Sequence, residues 1–102
     1  MGDELNPVIH APNRLAAMAI LAHSSDADFA FLRNHLQVSD SVLSKQMSTL
    51  IDAGYVSVHK AGRGRGSVTT YRITKDGTNA YRAYRETLDT LLAGLPPEPG
   101  KE

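Results

Sequence analysis

The sequence predicts one α+β domain, mainly helical, with a small β-hairpin after its third helix. The chain has 102 residues, which fits one domain with a core of its own. Apolar residues recur at helical spacing on both sides of a short stretch where they alternate with polar ones. There is no Cys, so disulfides and Cys-ligated zinc are excluded. We expect three helices, a hairpin and a long final helix.

The first two helices begin at recognisable residues. Pro12 suits a first helical turn and is followed at helical spacing by Leu15, Met18, Ala19 and Ala22, which predicts a helix over about 12–23. Asp28 is a candidate N-cap for a short second helix. The apolar positions that share a face of that helix are Phe29, Leu32 and Leu36.

The third helix has both a start and a stop signal. Ser39 can cap it, and Gly54 stands where a left-handed residue commonly ends a helix at about Ala53. Its apolar stripe consists of Leu43, Met47, Leu50 and Ile51. Residues spaced at 100° then place Ser41, Lys45, Ser48, Thr49 and Asp52 on the opposite, outer face.

The hairpin and the last helix follow from a change of period at Tyr55. Val56 and Val58 alternate with polar residues, a glycine-rich turn occupies 62–66, and 68–73 is rich in β-branched and aromatic residues. Thr74 can cap a final helix that ends near Gly94. The apolar positions of that helix are Ala80, Tyr84, Leu88 and Leu91. We expect domain parts over 1–11 (an arm), 12–74 (a core), 75–93 (the last helix) and 94–102 (a disordered tail).

The net charge of zero hides a strong local imbalance. Residues 33–75 carry seven cations against two acids, a net charge of +5, whereas 1–32 carry −3 and 76–102 carry −2. Chance is a sufficient explanation for the two acidic ends. The basic middle segment is where a phosphate-binding surface is expected.

The outer face of the third helix combines small hydroxyl residues with one long cation, Lys45. A slim polar helix of this kind suits a DNA major groove, where Ser, Thr and Lys supply adaptable donors. The alternative is an ordinary solvated face, for which more Glu and Lys pairs are expected. The outer face alone leaves both interpretations open.

The hairpin tip favours nucleic acid. Arg63 and Arg65 lie in a Gly-Arg-Gly-Arg-Gly run, Lys60 precedes it, and His59 would add to the charge. Arginine on such a backbone can follow phosphates or enter a narrow minor groove. A nucleotide-phosphate cradle is disfavoured, because the run lacks the Lys-Ser/Thr ending and the strand-loop-helix context. A bare exposed turn is the remaining alternative.

Three runs together resemble a known family. They are SDSVLSKQMSTL (39–50), AGYV (53–56) and TYRITKDG (70–77). In combination they are similar to the winged helix-turn-helix transcriptional regulators related to the MarR and ArsR groups, of the compact single-domain type. The resemblance covers about residues 7–92.

The resemblance implies a recognition helix over about 39–53 and a wing at 63–65. By position, Ser41, Ser44, Lys45 and Ser48 match the groove-facing residues of the family. We therefore expect these DNA-binding residues: Ser39, Ser41, Ser44, Lys45, Ser48, Thr49, Lys60, Arg63 and Arg65. Family members are usually homodimers, which implies a homodimeric regulator, taken as a repressor, on a pseudo-palindromic operator.

The terminal segments offer apolar surface for such a dimer. The expected interface residues are Leu5, Val8, Ile9, Tyr84, Leu88, Leu91 and Leu92. The alternative is that the last helix only packs on its own domain. Val42 is the one apolar residue near the outer face of the third helix, which disfavours the competing hypothesis of a protein-interaction module without DNA binding.

Other activities find little support in the sequence. No nucleophile with a base, paired acids or metal-ligand spacing is present, so we expect no enzyme, cofactor or metal site. A small-molecule effector is possible, bound between helices or protomers. No apolar run approaches membrane-spanning length and no leader is evident, so we expect a soluble, cytoplasmic protein with no membrane partner.

Overall fold

The computed structural model describes residues 5–62 and 67–94. In chain order the elements are α1 (Pro12–Ser24), β1 (Asp26–Asp28), α2 (Phe29–Leu36), α3 (Asp40–Asp52), β2 (Val56–Ala61), β3 (Val68–Ile73) and α4 (Lys75–Ala93). The strands form one antiparallel sheet in the order β1-β3-β2. The predicted fold class and the order of helices and hairpin are confirmed.

The three predicted helix caps are confirmed by hydrogen bonds. The Asp28 carboxylate accepts from the backbone N–H of Phe31 at 2.8 Å, at the start of α2. Ser39 Oγ accepts from the N–H of Val42 at 3.2 Å, and Thr74 Oγ1 from that of Gly77 at 2.9 Å. Each bond satisfies an amide that a helix leaves unpaired in its first turn.

Strand β1 was not predicted. Its sequence is Asp-Ala-Asp, and Asp has a low preference for strands. The segment is extended because it pairs with the far edge of β3, where Asp26 lies opposite Arg72 and the two form an ion pair at 3.3 Å. That partner is remote in sequence, so no local pattern indicates the strand.

The core lies between the helices and the inner face of the sheet. α3 contributes its predicted stripe, with Leu43, Met47 and Leu50 buried and Ile51 half-buried. The full set of buried apolar residues is Ile9, Ala17, Met18, Leu21, Leu32, Leu43, Met47, Leu50, Val56, Tyr71 and Tyr84. The predicted stripe of α3 is therefore confirmed. The face predicted for α1 is only partly right, because Ala17, Met18 and Leu21 are buried and Ala22 is exposed. On α4, the predicted Leu91 is also exposed.

Burial corrects the expected dimer contact at two residues. Ile9 and Tyr84 are 0% and 3% exposed within a single chain. Tyr84 also bonds through its hydroxyl to His10 Nδ1 at 2.8 Å. Both side chains pack in the core of their own chain, because the N-terminal segment folds back over α4 instead of extending from the domain.

Arg14 and Asn6 tie that N-terminal segment down. The Arg14 guanidinium donates to the carbonyl oxygen of Val8 and, at 2.6 Å, to Gln46 Oε1 on α3. Asn6 Nδ2 donates to the Tyr55 hydroxyl at 2.9 Å. The described part of the expected arm, 5–11, is therefore attached to its own domain.

Some sequence expectations lie outside the described residues. These are Arg63 and Arg65 of the hairpin tip, residues 1–4 of the arm and residues 95–102 of the tail. Over 5–62 and 67–94, no helix has the length and hydropathy needed to cross a membrane.

Candidate nucleic-acid interface

The outer face of α3 is polar and open to solvent. Burial of Leu43, Met47 and Leu50 fixes the rotation of this helix about its axis. The exposed polar residues on this side are Ser41, Ser44, Lys45, Ser48 and Asp52, and exposed Val42 lies at its margin. Apart from Lys45 these side chains are short, so the helix backbone can approach a flat or grooved partner closely.

The turn between α2 and α3 holds the two helices in a fixed relation. Gln37 ends α2 in the left-handed conformation, with φ 57°. On the other side of the turn, Arg33 Nη1 and Asp40 Oδ1 form an ion pair at 3.0 Å. This pair offsets the charge of the carboxylate at the start of α3, and it also engages one of the cations of the basic segment.

The hydroxyl groups on α3 are not equally free. Ser39 caps the helix and lies 3.3 Å from Ser41 Oγ, and Thr49 Oγ1 donates to its own helix at the carbonyl of Lys45. Thr49 is also half-buried. Ser44 and Ser48 form no side-chain hydrogen bond to another described residue, so their hydroxyls are the ones available to a ligand.

The hairpin presents Lys60 on the same side as α3. Strand alternation places Lys60 on the face of β2 that also carries Val56 and Val58, and its cross-strand partner is Thr69. A groove of about 270 Å³ lies between α3 and the sheet. Its polar lining residues are Ser44, Ser48, Lys60 and Thr69, and its apolar or aromatic ones are Phe29, Met47, Ile51, Val58 and Tyr71. The helix and the hairpin therefore share one groove, to which both contribute polar groups.

His59 lies on the opposite face of the sheet. It pairs with Thr70 and lines a separate groove with Asp26, Ser57 and Arg72. The expectation that His59 adds to the charge around Lys60 is therefore wrong, because successive side chains of a strand point to opposite faces.

Electrostatics favour an anionic ligand at this surface. Within the part of the chain that the structure describes, Lys45 and Lys60 are exposed and enter no ion pair. Asp40 is paired with Arg33, which leaves Asp52 as the unpaired acid of α3. In the same residues no cluster of His, Asp and Glu is suited to holding a metal ion.

Comparison with known proteins agrees with this arrangement. A family model described as "Winged helix DNA-binding domain" matches residues 13–92. No curated protein matches the sequence.

Solved structures show the same fold. A transcriptional regulator homologue from Pyrococcus horikoshii OT3 superposes with a TM-score of 0.82 at 23% identity, over 88% of this chain and 89% of that one. A possible transcriptional regulator for arsenical resistance has a TM-score of 0.68 at 27% identity, over 88% and 94%. NadR in complex with 4-hydroxyphenylacetate has a TM-score of 0.67 at 21% identity, over 85% of this chain and 64% of the NadR chain.

Proposed function

Because the chain belongs to the winged helix DNA-binding domain family, we propose that it is a transcriptional repressor that binds a pseudo-palindromic operator as a homodimer. Membership in this family points to binding rather than catalysis. In the proposed complex α3 enters the major groove, and the hairpin lies along the adjacent backbone. Occupation of a promoter is sufficient for repression and requires no second activity.

One observation carries the proposal. Lys60 of the hairpin and the free hydroxyls of Ser44 and Ser48 line the same groove, so α3 and the hairpin bring a cation and two hydroxyl groups to one site. A solvated helix face needs no such alignment. A surface that must contact base edges and the neighbouring phosphates at the same time does need it.

The proposed contacts divide by chemistry. Ser44 and Ser48 are short residues with free hydroxyls, suited to base edges or nearby phosphates, and Lys45 reaches farther from the same face. Ser41 is proposed to contact DNA with the hydrogen-bonding capacity that remains beside its contact with Ser39. The hydroxyls of Ser39 and Thr49 already bond within the helix. We therefore propose that these two residues support DNA binding by fixing the start and the backbone of α3. Lys60 is proposed to bind a phosphate.

The hairpin tip is proposed to extend this contact. In the sequence its two arginines follow Lys60 within five residues, between the segments that form β2 and β3. Arg63 and Arg65 supply two more cations there. Guanidinium groups at this position suit the phosphate backbone or the minor groove.

The homodimer is proposed to form through the apolar side chains that the chain leaves uncovered. Leu91 and Leu92 near the end of α4 are 40% and 55% exposed. An adjoining groove of about 430 Å³ between the N-terminal segment and α4 is lined in part by Leu5, Val8 and Ala83. Half-buried Leu88 lies on the same side of α4 as Leu91 and Leu92.

The test is DNA binding over a range of salt concentrations. Replacement of Lys45 or Lys60 by Ala should each lower the affinity and reduce the slope of log K against log salt by about 0.9, the value for one lost phosphate contact. A contact between Lys45 and a base would have a second effect: Lys45→Ala would reduce the ratio of the affinity for the selected duplex to the affinity for random duplexes. Replacement of both Arg63 and Arg65 should weaken binding to all duplexes and reduce the slope by about two phosphate equivalents.

Arg82→Ala is the matched control, since it removes an exposed cation from α4, away from the proposed surface. Its salt slope should equal that of the unmodified chain. If Lys60→Ala and Arg82→Ala have equal effects, the attraction is diffuse and the proposed surface is wrong.

A further inference from the structure

We propose that Val42 contacts the 5-methyl group of a thymine in each operator half-site and thereby helps to determine the DNA sequence that the protein prefers. This inference rests on the proposed function, because it takes α3 as the helix in the major groove. It adds a recognition residue that hydrogen-bonding chemistry alone does not indicate.

The position of Val42 places it near the bases. It is the third residue of α3, and the N-terminal residues of a recognition helix are the ones that reach base edges. At 100° per residue its direction differs by about 60° from that of Lys45. Val42 therefore lies at one margin of the outer face, whereas Ser44 lies at the other margin, toward the hairpin.

Val42 is not explained by packing. Its side chain is 39% exposed, whereas Leu43, Met47 and Leu50 are at most 1% exposed and Ile51 is half-buried. Nor does it favour the helix, because a β-branched side chain is less favourable there than Ala. Its backbone N–H serves the Ser39 cap, a role that any residue except Pro can fill.

The neighbouring groups leave the methyls of Val42 as a free contact surface. Ser39 and Ser41 lie within 3.3 Å of each other through their hydroxyls, so the polar groups of this turn already have partners. The apolar feature on base edges in the major groove is the methyl group of thymine. An exposed valine at the start of the helix can pack against that methyl group. It cannot pair with the hydrogen-bond donors and acceptors on the base edges.

The experiment begins with selection of a preferred site from random duplexes by the unmodified protein. Each thymine of that site is then replaced in turn by deoxyuridine, which removes only the methyl group. At one thymine per half-site the affinity should fall about fourfold, the change expected for one buried methyl group. Replacement of the same base pair by 5-methylcytosine and guanine should retain part of the contact, because the methyl group is kept.

Variants assign the methyl contact to Val42. Val42→Ala removes the contact in both half-sites of the proposed dimer, so it should bind the selected site about sixteenfold more weakly, which is about fourfold per half-site. It should also respond equally to thymine and deoxyuridine, whereas Val42→Ile should keep the thymine preference. Val68→Ala is the control, since Val68 is an exposed valine on β3 and should keep the full deoxyuridine penalty. Thermal melts verify that every variant is folded.

The outcomes separate this inference from the proposed function. A protein that selects no sequence, and binds all duplexes equally, overturns both. A protein that selects a site without thymine, or one in which every deoxyuridine is tolerated, refutes the role of Val42 and leaves the regulator assignment standing. A deoxyuridine penalty that persists in Val42→Ala also refutes it.

Discussion

Tyr71 joins the sheet to the helical core. It lies in β3, is 6% exposed, and its ring centroid is 6.5 Å from that of Phe29 on α2. Burial raises the pKa of the Tyr71 phenol above its ordinary value of 10.0, because the charged form is poorly solvated there. The neutral phenol is therefore preferred more strongly in the folded chain than in the unfolded one.

This raised pKa predicts a loss of stability in alkali. As the pH rises through 10.0 the unfolded chain loses the Tyr71 proton before the folded chain does, so the free energy of unfolding falls. The contribution is complete below the unfolded pKa and is lost as the pH passes the raised, folded value. Tyr71→Phe should flatten this part of the profile in denaturant unfolding measured between about pH 8 and 11.

Tyr81→Phe is the control for that experiment. Tyr81 lies half-buried on α4, and its replacement leaves Tyr71 in place, so the alkaline loss should persist. An unchanged alkaline profile in Tyr71→Phe would contradict the assignment of this loss to Tyr71.

Single residues also show what local sequence predicts and what it does not. Caps at Asp28, Ser39 and Thr74 were predictable, because each bond spans three residues of the same helix. The burial of Ile9 was not, because it depends on how the N-terminal segment folds over α4. The side of the hairpin that faces α3 also depends on the packing of the whole sheet.

Among the elements, the loop before β2 and the start of α4 form one junction. Thr74 donates through its backbone N–H to the carbonyl of Tyr55 at 3.0 Å and through Oγ1 to that of Gly54 at 2.6 Å. Gly77 follows one turn later and packs against the same Tyr55 carbonyl. The runs 53–56 and 70–77, which carry the family resemblance, therefore meet in space, and their residue types serve one packing arrangement.

Gly77→Ala tests how tightly this junction is packed. A Cβ at position 77 would lie 2.1 Å from the Tyr55 carbonyl oxygen, a backbone atom that cannot move without shifting the loop. We expect a loss of about 1–3 kcal/mol in the free energy of unfolding, typical of overpacking, despite the better helix preference of Ala. Chemical denaturation measures this change.

Gly94→Ala is the matched control at the other end of α4. A Cβ there would meet its nearest atoms at 3.6 and 3.7 Å, which is ordinary contact. This variant should be as stable as the unmodified chain or slightly more stable. Equal stabilities of the two variants would show that the loop at Tyr55 can shift to accommodate the added methyl group at little cost in free energy.

An element could be predicted when the interactions that form it are local in sequence, and it was missed when they join distant segments. Helices α2 and α3 were predictable in extent because caps and apolar spacing are local signals. Strand β1 was not, since Asp26 and Ala27 are extended by pairing with Arg72 and Tyr71 across the chain. Lys45 was predictable as an outward residue, whereas the groove that Ser44 and Ser48 share with Lys60 required the folded hairpin.

For the molecule as a whole, the structure refines the charge argument. Of the seven cations in 33–75, Arg33 and Arg72 are paired with Asp40 and Asp26. Exposed ion pairs of this kind leave a smaller net field than the count of cations suggests. With zero net charge overall, non-specific attraction to DNA should be modest, so affinity depends on a few contacts on one face.

The proposed homodimer interface on α4 can be tested by adding charge to it. Leu88, Leu91 and Leu92 lie on one side of α4, while Thr90 and Ala93 lie on the other. Replacement of both Leu91 and Leu92 by Glu would place two charges in the proposed interface, where burial without partners is strongly unfavourable. We expect sedimentation velocity to show monomers at concentrations where the unmodified chain is dimeric.

The matched control changes Thr90 and Ala93 to Glu, which adds the same charge to exposed positions on the other side of the helix. It should remain dimeric. On DNA, the Leu91→Glu and Leu92→Glu variant should lose the advantage of two half-sites about one helical turn apart and bind a single half-site almost as the control does. If both double variants sediment alike, or if the leucine variant still prefers the palindrome, the two-fold axis lies elsewhere on the molecule. A dimer lost together with half-site binding would instead mean that α4 supports the fold of the DNA-binding core.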